Sequence, residues 1–228
     1  MHRSLWLVLF AVACSSTPQA PPDPCSIGKL PDEGAALMEA VERLLIECPD
    51  VQLETVVVAE GAVDAGFRGA MTLGEEGRSS VRFEGEFMGM PHQMEFASDG
   101  EQLRGTTTVG PLDEPTPAEL RKALAIGWTR MGVLHNIARL TGGQGPDHAA
   151  GGVDTWVQVD RVEIGEAGSI DDKAALPLNF TIFVEGEEVG AAVLWLDAES
   201  GLPLKREQAV QFPTGEMRVT EGYRVTLG

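Results

Sequence analysis

Ser80-Val81-Arg82-Phe83-Glu84-Gly85-Glu86-Phe87-Met88 is the stretch whose reading decides the fold class. Side chains alternate across an extended strand, so Val81, Phe83 and Phe87 share one face while Arg82, Glu84 and Glu86 share the other. One dry face and one wet face mark an antiparallel sheet that buries a single side. Residues 92–98 repeat the pattern with Met94 and Phe96 in phase, and residues 66–73 do so with Phe67, Gly69, Met71 and Leu73. Residues 53–62 and 102–109 complete the run. The connections are short and made of turn formers: Asp64-Ala65-Gly66, Gly74-Glu75-Glu76-Gly77, Gly89-Met90-Pro91 and Asp99-Gly100. The reading is a meander of hairpins.

Both ends of this meander turn helical. Upstream, Leu37, Val41, Leu44 and Leu45 recur at three and four, which predicts an amphipathic helix over 32–48 that opens at Pro31 and stops at Pro49. Downstream, the alternation breaks over 111–117. Thr116-Pro117-Ala118-Glu119 then reads as a helix start, followed by Leu120, Leu124, Trp128, Met131, Leu134, Ile137 and Leu140 on one stripe. The stripe is one helix or two short ones hinged at Gly127 or Gly132, and a Gly-rich loop follows over 142–152. Strands resume at 153–164, 176–185, 190–196, 202–212 and 216–227, with an acidic loop over 165–175. The expected fold class is therefore mainly antiparallel β with helices. About ten strands form a single curled sheet, a half-barrel covered by the N-terminal helix and the mid-chain helical segment.

The first residues address the chain. His2 and Arg3 precede an apolar run over 5–13 that ends Ala11-Val12-Ala13-Cys14. That run is too short to span a bilayer and has the layout of a secretory signal. It resembles bacterial lipoprotein signals, in which the Cys carries fatty acyl groups such as palmitate as the first mature residue. Residues 1–13 are thus read as signal peptide and Cys14 as the lipidation site, the other possibility being an ordinary cut after Ala13 that leaves Cys14 free. Residues 14–24 contain four prolines and read as an extended tether about 30 Å long. Ser15 after the lipidated position resembles the enterobacterial outer-membrane address. Residues 25–228 are read as one domain. An exported chain oxidises leftover thiols, so Cys25 and Cys48 are expected to pair, with two separate buried thiols as the alternative.

Order and phrasing together resemble the LolA/LolB-like superfamily of periplasmic lipoprotein carriers. One phrase is Phe96-Ala97-Ser98-Asp99-Gly100-Glu101-Gln102-Leu103, a strand ending in a tight Asp-Gly turn. The other is Val193-Leu194-Trp195-Leu196-Asp197-Ala198-Glu199-Ser200-Gly201-Leu202-Pro203-Leu204, an apolar strand, an Asp-containing loop and a Gly-Leu-Pro strand opening. The resemblance spans about residues 32–228. It implies an incomplete barrel closed by helices around an apolar cavity, and no individual functional position is carried over.

The concave lining expected for such a half-barrel is Phe67, Met71, Phe83, Phe87 and Met94 on the first meander, with Phe96 beside them. On the second it is Phe180, Ile182 and Trp195. Helices can fill such a face completely or leave room for acyl chains. Met71, Met88, Met90, Met94 and Met131 suit an adaptable lining, or gap-filling in a plain core.

Composition and motifs exclude several classes. With 17 basic against 35 acidic residues the chain carries −18, and without Arg3 it carries 16 against 35, or −19. That disfavours nucleic acid, whose phosphates need a basic face. No nucleophile elbow, zinc-protease motif or phosphate loop is present, and Gly142-Gly143-Gln144-Gly145 lacks the Lys-Ser/Thr of a P-loop. His135 reads as a boundary residue, His92 as a strand start and His148 as loop surface. Asp171-Asp172 and Glu187-Glu188 read as solvated turns, so no metal and no cofactor is expected. The expectation is a non-enzymatic envelope lipoprotein, anchored through its N-terminal lipid to the outer membrane facing the periplasm. It would bind a lipid or acylated peptide, as carrier, chaperone or sequestering protein. The alternative is an interaction or sensor module with a filled core and an envelope protein partner.

Overall fold

The alternating stretches pair into one antiparallel sheet because each has an apolar face to hide and a neighbour one tight turn away. The computed structural model describes residues 23–107, 110–141, 152–212 and 215–228. The leader, Cys14 and most of the tether lie outside the described residues, as does the Gly-rich segment with His148, apart from Gly152. In chain order the elements are α1 (Gly34–Glu47), β1 (Val51–Gly61), β2 (Ala65–Leu73), β3 (Arg78–Phe87), β4 (Met90–Asp99), β5 (Gln102–Thr107) and β6 (Gly110–Pro115). There follow α2 (Leu120–Met131), α3 (Val133–Thr141) and α4 (Val153–Trp156). The chain closes with β7 (Val157–Ile164), β8 (Gly168–Ile170), β9 (Lys173–Val184), β10 (Glu187–Asp197), β11 (Pro203–Phe212) and β12 (Gly215–Leu227).

The strand order is β6-β5-β4-β3-β2-β1-β12-β11-β10-β9-β7, with β8 paired only to β9. The two meanders join through the first and last strands, where Val51 faces Leu227 and Gly61 faces Met217. β6 and β7 stay unpaired to each other, so the sheet curls without closing.

Two aspartates fix the loops quoted above. Asp99 Oδ1 accepts the N–H groups of Glu101 and Gln102 at 2.9 and 2.8 Å, and these bonds hold its carboxyl below the usual range. Asp197 Oδ1 accepts from Glu199 and Ser200 at 3.0 Å. Partial burial pulls that carboxyl up, but the N–H groups outweigh it and the net shift is down.

The departures from expectation have physical reasons. The stretch expected to break the pattern contains β6, since an edge strand tolerates Pro111 and Pro115, which remove N–H groups the ladder does not need there. Val153–Trp156 is a helical turn before the strand begins. The acidic loop contains β8, and with β6 it brings the count to twelve. The mid-chain helix breaks at Gly132, whose φ of 87° is a left-handed value that other residues resist. Gly127 stays helical, and Asn136 packs against its bare Cα, where a Cβ would collide with it.

α1 and α2 fill most of the concavity. Leu37, Leu45, Leu53, Leu124, Trp128, Trp156 and Leu178 are all fully buried in one apolar cluster. The Cys25–Cys48 disulfide ties the segment entering the domain to the end of α1.

Candidate functional site

The helices are held by buried charges rather than by apolar contact alone. Arg121 of α2 reaches the C-terminal end of α1, donating from Nε to Ile46 O at 2.7 Å and from Nη2 to the carbonyls of Leu45 and Cys48. Its Nη1 donates to Gly74 O at 2.6 Å. The carbonyls of Leu45, Ile46 and Cys48 have no partners within the helix, so one guanidinium caps α1 and ties it to the turn after β2. Arg130 donates to both carboxylate oxygens of Glu42, at 2.7 and 2.8 Å, and to Val157 O at 2.9 Å.

The third clamp sits at the Gly132 break. Arg206 of β11 is fully buried and donates to Thr129 O and Arg130 O, both at 2.7 Å, at the end of α2. Glu221 of β12 is also fully buried, and its carboxylate accepts the N–H groups of Val133 and Leu134, at 2.9 and 3.2 Å, at the start of α3. A cation therefore meets the negative end of one helix and an anion the positive end of the next. Tyr223 donates to Glu221, and burial followed by Glu221's charge drives its hydroxyl pKa well above the usual value. A Cβ on Gly132 would lie 2.8 Å from Glu221 Oε1, so the clamp also requires glycine.

Beyond that clamp the concavity is not filled. A cavity of about 410 Å³ lies between α3, the inward face of β2, β3 and β4, and the end of β12. The sheet contributes Phe67, Phe83, Phe87, His92, Gln93 and Met94, with Val63 and Met217 at the end, and α3 contributes Leu134, His135, Ile137 and Ala138. No Lys, Arg, Asp or Glu is among these lining residues.

The space has a cause in the sheet. Phe67 is cross-strand from Gly85, Phe83 from Gly69 and Phe96 from Gly105. A Cβ on Gly69 would come 2.6 Å from the Phe83 ring, and one on Gly85 would come 2.8 Å from the Phe67 ring. The rings lie down across bare glycines instead of standing into the concavity, so the floor beneath α3 is low.

Of the nine residues expected to line a cavity, Phe67, Phe83, Phe87 and Met94 do so. Met71, Phe96, Phe180 and Ile182 face the same side but are buried in the solid part of the core. Trp195 corrects the expectation: its neighbours in sequence, Leu194 and Leu196, point inward, so its ring lies on the outer face. There it meets β8 at Gly168 and donates from Nε1 to Glu207 at 3.0 Å. In Val193-Leu194-Trp195-Leu196 every residue is apolar, so strand phase was not readable.

Sequence reasoning missed His92 and His135 as cavity residues. Burial, and then the charge of Arg206, lowers the His135 pKa to about 4, so the imidazole is neutral at neutral pH. His92 meets the edge of Phe87 at 6.0 Å between ring centroids. The turn beside it is exposed and apolar: Phe87 is 39%, Met88 55% and Met90 58% accessible. Among the described residues no three His, Cys, Asp or Glu side chains gather as a metal would need.

No family model matches the sequence, and no curated protein matches it. Solved structures do. LprF from Mycobacterium bovis is similar with a TM-score of 0.44 at 11% identity, over 86% of this chain and 94% of that one. A LolA superfamily protein from Nitrosomonas europaea gives 0.34 at 12% identity, over 86% and 94%. MucB of Pseudomonas aeruginosa in complex with MucA gives 0.43 at 10% identity, over 86% of this chain and 58% of that one. These likenesses concern the fold alone. The open, curled antiparallel sheet with helices in its concavity is the half-barrel expected from the sequence.

Proposed function

We propose that the protein is an envelope lipoprotein that binds the acyl part of a lipid or acylated ligand beneath α3, without a catalytic step. One observation carries the reading: a cavity of about 410 Å³ walled mainly by aromatic and aliphatic side chains, with no Lys, Arg, Asp or Glu among the described residues that line it. A void of that character is unfavourable when empty, because its walls lose contacts, and each methylene buried there is worth about 0.8 kcal/mol. The exposed Phe87, Met88 and Met90 form an apolar lip continuous with the cavity through Phe87, a path for a chain to enter without crossing water. A longer chain can be admitted by a shift of α3. α1 and α2 are pinned by Arg121 and by the Arg130–Glu42 pair, so α3, which follows the break at Gly132, is the wall that would give. In this reading Cys14 carries the lipid anchor, and the domain works at the outer membrane facing the periplasm as carrier, chaperone or sequestering protein.

Titration with a fluorescent fatty acid tests the binding. Saturable uptake of one probe per chain supports the reading, and no uptake at any concentration removes it. Labelling cells with radioactive palmitate tests the anchor, which Cys14→Ala must abolish.

A second reading, a contact module for an envelope protein, is favoured by Val56 and Val58. They are 60% and 45% accessible on the outer face of β1, away from the cavity. Charging both residues would then abolish partner capture while leaving probe uptake intact.

A further inference from the structure

We propose that the cavity holds one acyl chain, so that the ligand is a single-chain lipid and not a diacyl or triacyl one. The inference rests on the binding reading above and names the ligand class of that site. It begins with volume. In an interior packed like a protein core a methylene occupies roughly 27 Å³, so about 410 Å³ accommodates about 15 of them, one ordinary fatty chain. Two chains need about twice that space and three need three times.

The structure also shows why the cavity does not grow to suit. Further along the concavity lie Trp128, Trp156 and Leu124, all fully buried. The helix that carries Trp128 is fixed at three places along its length. Arg121 ties its first turn to α1 and the turn after β2, Arg130 ties its last turn to Glu42, and Arg206 takes its terminal carbonyls. Displacing it would strand buried charges, a far larger cost than moving an apolar helix. Phe67 and Phe83 already lie against glycines on the floor and cannot sink further. Only α3 is left to yield, and its start is held by Glu221. The described residues of the lining include no cation for a phosphate and no anion for an ammonium, so the head group remains outside and chain number decides binding.

The test is competition against cis-parinaric acid bound to the detergent-free full chain. Competitors are saturated fatty acids of ten to eighteen carbons, palmitoyl lysophosphatidylcholine and dipalmitoyl phosphatidylcholine. Affinity should rise about fourfold per added methylene while the chain still finds cavity wall, then level near 14 to 16 carbons. The lysolipid should compete like palmitate. The diacyl lipid should be at least roughly tenfold weaker, because its second chain stays in water. Competition by fatty acids but not by the lysolipid also supports a single chain and assigns it to free acids. A diacyl lipid that competes as well as palmitate, or an affinity still climbing at eighteen carbons, overturns the inference while leaving the binding reading intact. Failure of parinaric acid and every competitor to bind overturns both.

Discussion

Replacing Arg206 by Met should cost this protein as much as truncating one of its large buried apolar side chains. The side chain is fully buried and donates to the carbonyls of Thr129 and Arg130 at 2.7 Å and to Gln208 Oε1 at 3.1 Å. It also stacks over the Phe180 ring at 5.3 Å from the centroid. Met fills most of the volume, so the loss is electrostatic. Three charged hydrogen bonds disappear, each worth about 1.5–3 kcal/mol before the site relaxes, and Glu221 loses the nearby positive charge of Arg206. Relaxation and entering water recover part of this, and the net loss is about 3–5 kcal/mol, the usual result of removing one partner from a buried charge network. For a chain of this size that lowers Tm by roughly 6–20 °C. Urea unfolding followed by tryptophan fluorescence reads it directly, since Trp128 lies edge-on to Tyr223 at 5.5 Å. The double variant Arg206→Met with Glu221→Gln removes the stranded anion, and should be less destabilised than the two singles added together, by about 1–3 kcal/mol. A single variant that loses under about 1 kcal/mol, or strictly additive singles, would show that the helix break does not depend on this clamp.

Three further outcomes follow from the same geometry. His135 is neutral in the folded state, with a pKa lowered to about 4 against 6.5 when unfolded, so between those values the unfolded chain binds the extra proton. Its contribution is complete above pH 6.5 and fades as pH falls toward 4, by at most about 3 kcal/mol; urea midpoints across this window should slope less in His135→Phe than in the parent. The Cys25–Cys48 bridge closes a separation of 23 residues, so Cys25→Ser with Cys48→Ala should lower the stability by about 3 kcal/mol in the same assay, and a reducing agent should destabilise only the parent. Ala138 is exposed on α3 and lines the cavity, so Ala138→Trp should leave the unfolding free energy within about 0.5 kcal/mol of the parent while lowering fatty-acid uptake at least tenfold.

The sheet was legible because it obeys simple chemistry. Val81 and Phe83 alternate with Arg82 and Glu84, and each hairpin turn is marked by Gly or Asp. Phase alone therefore placed Phe67, Phe83, Phe87 and Met94 on the inner face that later proved to wall the cavity. β6 was hidden because Pro111 and Pro115 forbid a central strand, and edge position cannot be read from composition. The clamp residues were harder. Lys205-Arg206-Glu207-Gln208 is polar at every position, so nothing distinguished the buried Arg206 from a solvated face. Glu221 did leave a signal. Met217, Val219, Tyr223, Val225 and Leu227 share its strand phase, and an acid in that row must find buried donors. Whether helices fill a half-barrel or leave space depends on rings lying over Gly69 and Gly85, a three-dimensional matter that residue order does not reveal.

The central claim is that the space beneath α3 holds a chain. The most direct measurement is gentle native mass spectrometry of the protein from a bacterial envelope, followed by lipid extraction, beside Ala138→Trp made in the same way. The account predicts one co-purifying single-chain lipid per protein molecule, absent from the variant. A parent protein that emerges bare and also takes up no added fatty acid would contradict it.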